Sequence, residues 1–295
     1  MLRPFVDRPV ADLDAAGLVA SQAAAHWGLD EPILLRASMN AIYRSGDVVL
    51  RVSAPSAPAV ASIELAEMLL DRGLAVTRPM RADVVESNGL SATAWEYVPK
   101  SNAAIDWQSV GKLVRRTHDI AVADLPARYP LPRPIDFPWW DFAALLDDVG
   151  AVLDESARAG IVAAIHRWPH WTDDAGSVVC HGDVHPGNVI MAERGPVLID
   201  WDLLCWAPPG WDHAPMMTWQ TRWGGEASWY AGFAAGYGRS MAGDQSAEAF
   251  AELRLVAATL MRLKAAIRNE AAMPEAQRRL AHWRGESDAP MWQAQ

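Results

Sequence analysis

The run Val178-Val-Cys-His-Gly-Asp-Val-His-Pro-Gly-Asn-Val-Ile-Met-Ala-Glu-Arg-Gly-Pro-Val-Leu-Ile-Asp200 sets three polar residues, Asp183, Asn188 and Asp200, in an otherwise apolar stretch. Val189-Ile190-Met191 and Val197-Leu198-Ile199 are short, rich in β-branched residues and separated by a glycine-containing turn, the pattern of a β-hairpin. Turn length decides what faces what. With the loop Glu193-Arg194-Gly195 and Gly195 in the left-handed position, Ala192 pairs with Pro196 and Asn188 falls opposite Asp200. A two-residue loop puts the two on opposite faces. The longer loop is the expectation adopted. It sets an amide oxygen beside a carboxylate at one end of a buried hairpin, a hard-oxygen pair suited to Mg²⁺ that also carries phosphate. Asp183, on the irregular chain before Asn188, is left to reach something beyond the metal.

The rest of the chain bounds the answer. Its 295 residues suffice for two cores, and half apolar with one-fifth charged is the composition of a globular protein. A net charge of −10 argues against nucleic acid, whose phosphates select basic surfaces, and is compatible with a cationic partner. Two cysteines, Cys180 and Cys205, have neither zinc nor redox-motif spacing, so a reduced cytoplasmic protein is expected. The N-terminus lacks a signal peptide's apolar region and no run is long enough to span a membrane, so no membrane partner is expected.

His181-Gly-Asp183-x-His-x-x-Asn188 followed by Ile199-Asp200-Trp-Asp202 resembles the catalytic core of the aminoglycoside phosphotransferase and choline kinase-like family of small-molecule kinases, distant relatives of the protein kinases. The resemblance implies an α+β, two-lobed protein kinase-like fold, with a small β-rich N-lobe and a larger, mostly helical C-lobe. Residues 1–98 would form the nucleotide-binding lobe with a peripheral helix, and 99–295 the lobe carrying catalytic loop, metal site and substrate cleft. It also implies roles: Asp183 accepts the proton of the attacking hydroxyl, while Asn188 and Asp200 hold Mg²⁺ against the phosphates of ATP.

In the first lobe, residues 12–27 form a periodic helix capped by Asp12 or Asp14, with Leu18, Val19 and Ala23 on one face and Gly28 as its stop. Ile33-Leu34-Leu35 and Val48-Val49-Leu50-Arg51-Val52 are strand-like, and Ser45-Gly46-Asp47 is a turn. The connection from Ala37 to Ala41 stands where kinases keep a phosphate-covering loop, yet has no glycine. Either its backbone amides with Ser38 and Asn40 hold phosphate, or it is a plain hairpin connection. Arg51 is the only basic residue in an apolar strand, and by resemblance grips the phosphates where kinases use lysine. Its acidic partner belongs on the helix at 59–72: the resemblance points to Glu64, the stripe of Val60, Ile63 and Leu70 to Glu67. Asn88-Gly89 marks a hairpin, and Thr93 to Pro99 the hinge, where by resemblance the Glu96 carbonyl and Val98 amide bind adenine.

The remainder is helical. Asp106 caps a helix running to about Ala123 in which His118 is a hydrogen-bonded core residue, and further helices are expected at 142–149, 155–168, 226–238, 246–271 and 274–284. Pro169 separates His166 from His170 and removes a zinc reading. Trp201, Trp206, Trp211, Trp219, Trp223 and Trp229 form a dense tract, most of it core, with one or two at the cleft. Asp212 resembles the buried Asp that braces the catalytic loop, and Asp202 either joins the metal region or caps the next helix. The implied activity is transfer of the γ-phosphoryl of ATP to a hydroxyl of a small molecule, first an aminoglycoside or amino sugar, then choline, a homoserine-like alcohol or a sugar. A non-catalytic, pseudokinase-like nucleotide binder is the alternative. A monomer or homodimer is expected.

Overall fold

The computed structural model describes residues 3–293. Helix α1 (Leu13–Trp27) begins where the Asp12 carboxylate accepts a hydrogen bond from the Ala15 amide at 2.9 Å, and ends at Gly28 in the left-handed conformation. Its buried stripe is Ala16, Val19, Ala20, Ala23 and Ala24, a nearly all-alanine surface that brings the helix close to a sheet. Leu18 lies off that stripe and is 64% exposed, against the expectation from periodicity.

The sheet comprises β1 (Ile33–Ala37), β2 (Ala41–Ser45) and β3 (Val48–Ser53), then, after helix α2 (Val60–Asp71), β4 (Val85–Ser87) and β5 (Leu90–Glu96). All pairings are antiparallel, in the order β1-β2-β3-β5-β4. Asn88 and Gly89 turn β4 into β5 with φ of 52° and 75°, the paired left-handed geometry that fits strand twist. The period of two in β3 sends Val48, Leu50 and Val52 into the core under α1. Val49 and Arg51 therefore face the opposite side, toward the inter-lobe cleft.

The C-lobe starts with α3 (Trp107–His118), capped by Asp106, whose carboxylate accepts from the Ser109 amide at 3.0 Å. The helix stops at His118 rather than near Ala123, because Ile120 turns inward to pack with Phe5, Leu69 and Tyr129. There follow α4 (Phe142–Val149), α5 (Glu155–Arg167), β6 (Val178–Cys180), β7 (Val189–Ala192), β8 (Gly195–Leu198) and β9 (Cys205–Ala207). Helices α6 (Gly210–Arg222), α7 (Ala227–Tyr237), α8 (Gln245–Arg268) and α9 (Met273–Trp283) complete the lobe. Helices α3 and α7 touch through glycine: a Cβ on Gly236 would lie 1.8 Å from the Gln108 carbonyl oxygen, and one on Gly111 2.0 Å from that of Phe233. Cys180 and Cys205 are cross-strand neighbours on β6 and β9, both buried free thiols. Among the described residues, no helix is long and apolar enough to cross a membrane.

The β7–β8 hairpin departs from its expected register. Ala192 pairs with Gly195 and Met191 with Pro196, so the loop is the two residues Glu193-Arg194. Pro196 has no N–H with which to close the wider loop onto Ala192. Asn188 consequently faces Ile199, whose amide donates to the Asn188 carbonyl at 3.0 Å, and not Asp200. The chain then leaves the ladder: Asp200 takes φ 65°, ψ 66° and leads into a 3₁₀ turn at Trp201–Leu203. That left-handed residue redirects a side chain which regular pairing would have sent to the far face of the hairpin.

Candidate active site

Between β6 and β7 the loop carrying Asp183 is fixed from beneath by a buried carboxylate. Asp212, near the start of α6, accepts from the His181 amide (Oδ2, 2.8 Å) and the Gly182 amide (Oδ1, 2.8 Å). His118 Nε2 donates to the same carboxylate at 3.0 Å, and the Tyr237 hydroxyl lies 2.9 Å from His118 Nδ1. Burial alone would raise the Asp212 pKa, but His118, His181 and the backbone donors outweigh it and hold the group ionised. His118, Cys180 and Asp212 bring one donor atom each within 4.8 Å, yet hydrogen bonds already engage all three, so the cluster is a brace. Gly182 has φ 95°, and a Cβ there would meet the Leu203 carbonyl oxygen at 1.9 Å, so the loop closes only with glycine. His181 is buried, stacks edge-on against Trp201, and donates from Nε2 to the Ile199 carbonyl at 3.1 Å.

Asp183 is ringed by donors. Arg254 Nη2, from α8, meets Oδ1 at 2.5 Å; Asn188 Nδ2 and His185 Nε2 lie 3.2 and 3.3 Å from Oδ2. Burial pushes this carboxyl up, but His185, Arg254 and His181 together push it well below the ordinary carboxylate range. The group is an anion at any physiological pH, with a quarter of its side chain open to solvent. Asp200 behaves oppositely: burial first, then Asp202 and the more distant Asp183, push it up to about 7, with Arg51 only partly offsetting them.

Arg51 pairs with Asp202. Its Nη2 contacts Oδ2 of that carboxylate, to which Asn40 Nδ2 also donates at 3.0 Å. Neither Glu64 nor Glu67 is its partner, so the acidic residue expected on α2 lies instead in the C-lobe. Helix α2 turns Ser62, Leu65, Ala66 and Leu69 toward the cleft, leaving Glu64 half-buried and Glu67 exposed. Burial lowers the Arg51 pKa, but Asp202 and Asp200 outweigh it and keep the guanidinium firmly charged. Asp202 thus neither caps a helix nor stands free; it ties β3 and the β1–β2 connection to the hairpin.

Two cavities meet around these residues. One, of about 330 Å³, lies between the lobes, with Arg51, Asn40, Asp200 and Asp202 at one end and Trp95, Glu96, Tyr97 and Val98 along one wall. The other, of about 700 Å³, has Asp183, His185 and Arg254 at its floor and Trp139, Trp219 and Trp223 among its walls. Ser38 lines the second cavity and Asn40 the first, so the glycine-free β1–β2 connection sits across their junction. Of the tryptophan tract, Trp211, Trp219 and Trp223 reach the larger cavity and Trp201 the smaller, more than the one or two expected. Sequence reasoning missed Arg254, which carries no local signal within a long helix. It also gave His185 no role beyond a loop histidine.

The sequence model of the APH phosphotransferase enzyme family matches residues 37–256, a span that includes Arg51, the loop carrying Asp183, and Arg254. No curated protein sequence matches. Solved structures do match in fold. Spectinomycin phosphotransferase APH(9)-Ia, in complex with ADP and spectinomycin, superposes with TM-score 0.64 over 92% of this chain and 98% of its own, at 17% identity. The GDP and kanamycin complex of APH(2")-IIia gives TM-score 0.70 over 94% and 100%, at 16% identity. A choline/ethanolamine kinase family protein from Mesorhizobium loti gives 0.61 over 94% and 95%, also at 16%. At such identities the likeness is one of fold, and the fold is the expected kinase-like one, a small antiparallel-sheet lobe joined to a larger helical part. With the family match extending over most of the chain, the protein belongs to the phosphotransferase enzyme family.

Proposed function

We propose that this protein transfers the γ-phosphoryl group of ATP to a hydroxyl of a small molecule held in the larger cavity. The observation that carries the reading is the division of labour around one loop: an ionised Asp183 at the floor of one cavity, and Arg51 with a raised-pKa Asp200 at the end of the adjoining one. Residues 1–98 serve as the nucleotide lobe and 99–295 as the catalytic and acceptor lobe. The Glu96 carbonyl and Val98 amide hold the adenine, and Arg51, Asn40 and Ser38 surround the phosphates.

The donor set fits a divalent cation. A half-buried carboxyl pushed up to about 7 beside a second carboxylate, Asp202, is short of positive charge, and carboxylate oxygen is the donor a hard cation takes. Asn188 and Asp200 would hold Mg²⁺, which when bound neutralises phosphate charge. Asp183 does the proton work. Its carboxylate accepts the acceptor's O–H, aligns the oxygen on the γ-phosphorus, and receives the proton as the new P–O bond forms and the bond to the β-phosphate oxygen breaks, releasing ADP. Because the transition state of such transfers is loose, the base is asked mainly to position the nucleophile, a task compatible with low basicity.

Acceptor identity is a finer matter. Aminoglycosides and amino sugars stand first on family grounds, followed by choline, homoserine-like alcohols and sugars. The test is ADP release from ATP across such a panel, for the parent and for Asp183→Ala. Turnover that vanishes in the variant while nucleotide affinity persists supports the reading; equal behaviour of the two removes Asp183 from the reaction.

A further inference from the structure

The acidic balance of the chain does not extend to the acceptor cavity. Its charged lining is one carboxylate, Asp183, against three guanidinium groups, Arg254, Arg262 and Arg279. Arg254 is engaged by Asp183 and by the Gly182 carbonyl at 3.1 Å. Arg279 is engaged by Glu275 at 2.9 Å and by the Ala258 carbonyl at 2.7 Å. Arg262 has no ion pair or hydrogen bond among the described residues, and its Nε is buried without a partner. Glu275 does not compensate it, since that one carboxylate already faces both Arg278 and Arg279. Burial lowers the Arg279 pKa and Glu275 opposes this, while the nearby Arg262 charge lowers it further, so this end of the cavity is electropositive. The walls between are flat and apolar: Trp219 and Trp223 stack at 5.3 Å and 19°, and His185 stacks on Trp219 at 5.4 Å and 5°.

We propose that the acceptor is an anionic alcohol with an apolar, flat body, its carboxylate or comparable anion held by Arg262 while its hydroxyl meets Asp183. This rests on the phosphotransfer reading above and, on the charges lining the cavity, displaces the cationic acceptors that family grounds rank first. A polycation finds only Asp183 to receive its amines and meets uncompensated positive charge at the far end. An anion finds the unpartnered guanidinium, whose planar fork suits a carboxylate. The two groups are well separated. Arg262 follows Arg254 by eight residues on α8, so it stands about 12 Å further along the helix axis at 1.5 Å per residue. The acceptor is therefore elongated, with alcohol and anion at opposite ends of a body that the indole faces cover.

The experiment is calorimetric binding, without nucleotide turnover, of a hydroxyalkyl benzoate, the matching benzamide, the matching benzylamine, and kanamycin. The benzoate is expected to bind at least tenfold more tightly than the benzylamine. Arg262→Gln should erase that preference while ADP affinity, an index of folding, stays as in the parent. Benzylamine or kanamycin binding as tightly as the benzoate overturns the proposal, as does an acid preference that survives Arg262→Gln or a failure of the benzoate to bind. ADP release with MgATP is measured separately. Acid-selective binding without turnover of any acceptor supports the charge selectivity and counts against the phosphotransfer reading alone.

Discussion

The two cavities on either side of the β1–β2 connection are built in different ways. Two walls of the smaller are consecutive pieces of chain, Trp95 to Val98 and Ile199 to Asp202, so short spacings account for a large part of it. The larger draws Trp139, Asp183, Trp219 and, from α8, Arg254 and Arg262, out of segments far apart in the chain. The difference separates chemistry from choice. A nucleotide's phosphates and base present the same groups to every enzyme that uses them, whereas an acceptor is recognised by whatever scattered side chains the helices bring together.

The contrast can be broken most severely at Asp183. Replacement by alanine should lower kcat by about 10³-fold, within the range for a removed general base, with ADP affinity unchanged by calorimetry. A parallel loss of nucleotide binding would show that the cavities are not separable. Next comes the shared brace. Asp212→Ala strips a buried charge from His118 and leaves the His181 and Gly182 amides unpaired, which should cost about 3 kcal/mol in urea-induced unfolding. Turnover should fall with it. Arg51→Met should weaken ADP about tenfold, the effect of removing one charge-assisted hydrogen bond to phosphate, and leave acceptor binding untouched. Arg51→Lys should recover part of the affinity.

A further effect concerns pH and the C-lobe alone. His213 is fully buried, one nitrogen is unpartnered, and burial first, then the charge of His118, lowers its pKa to about 4. A histidine depressed in the folded state stays neutral while its unfolded counterpart protonates. Stability is therefore lost as pH falls from the unfolded value of 6.5 toward 4, at up to about 1.4 kcal/mol per pH unit, and no further below that. His282, also lowered to about 4, chiefly by burial, acts in the same direction. Thermal melts between these limits should depend less steeply on pH in a His213→Asn variant that folds, with the His282 contribution remaining.

What the sequence revealed follows the same division. A cap at Asp12 or Asp14, the Asn88-Gly89 turn and the bracing Asp212 were legible because each depends on local backbone chemistry or on a motif a few residues long. The partner of Arg51 was not. Helical periodicity nominates a face but not the angle at which α2 meets the sheet, and the helix gives its cleft side to Ser62 and Leu65. The hairpin register turned on one missing N–H, at Pro196, which outweighed a glycine in the expected place. Arg254 and Arg262 were illegible for a plainer reason. They are two arginines among the many polar residues of a long helix, and only the packing of α8 against α6 tells which of them face a cavity.

Asp200 combines a left-handed backbone with a half-buried carboxyl at the cavity wall, and this makes position 200 narrow in the space of possible replacements. The conformation admits glycine, asparagine and aspartate with little strain. The charge admits aspartate and glutamate. Only aspartate satisfies both demands. Two substitutions then dissect the position: asparagine keeps the turn and discards the charge, glutamate keeps the charge and strains the turn. A library selected at this codon for folding alone should retain asparagine and glycine, while one selected for turnover should return a single amino acid.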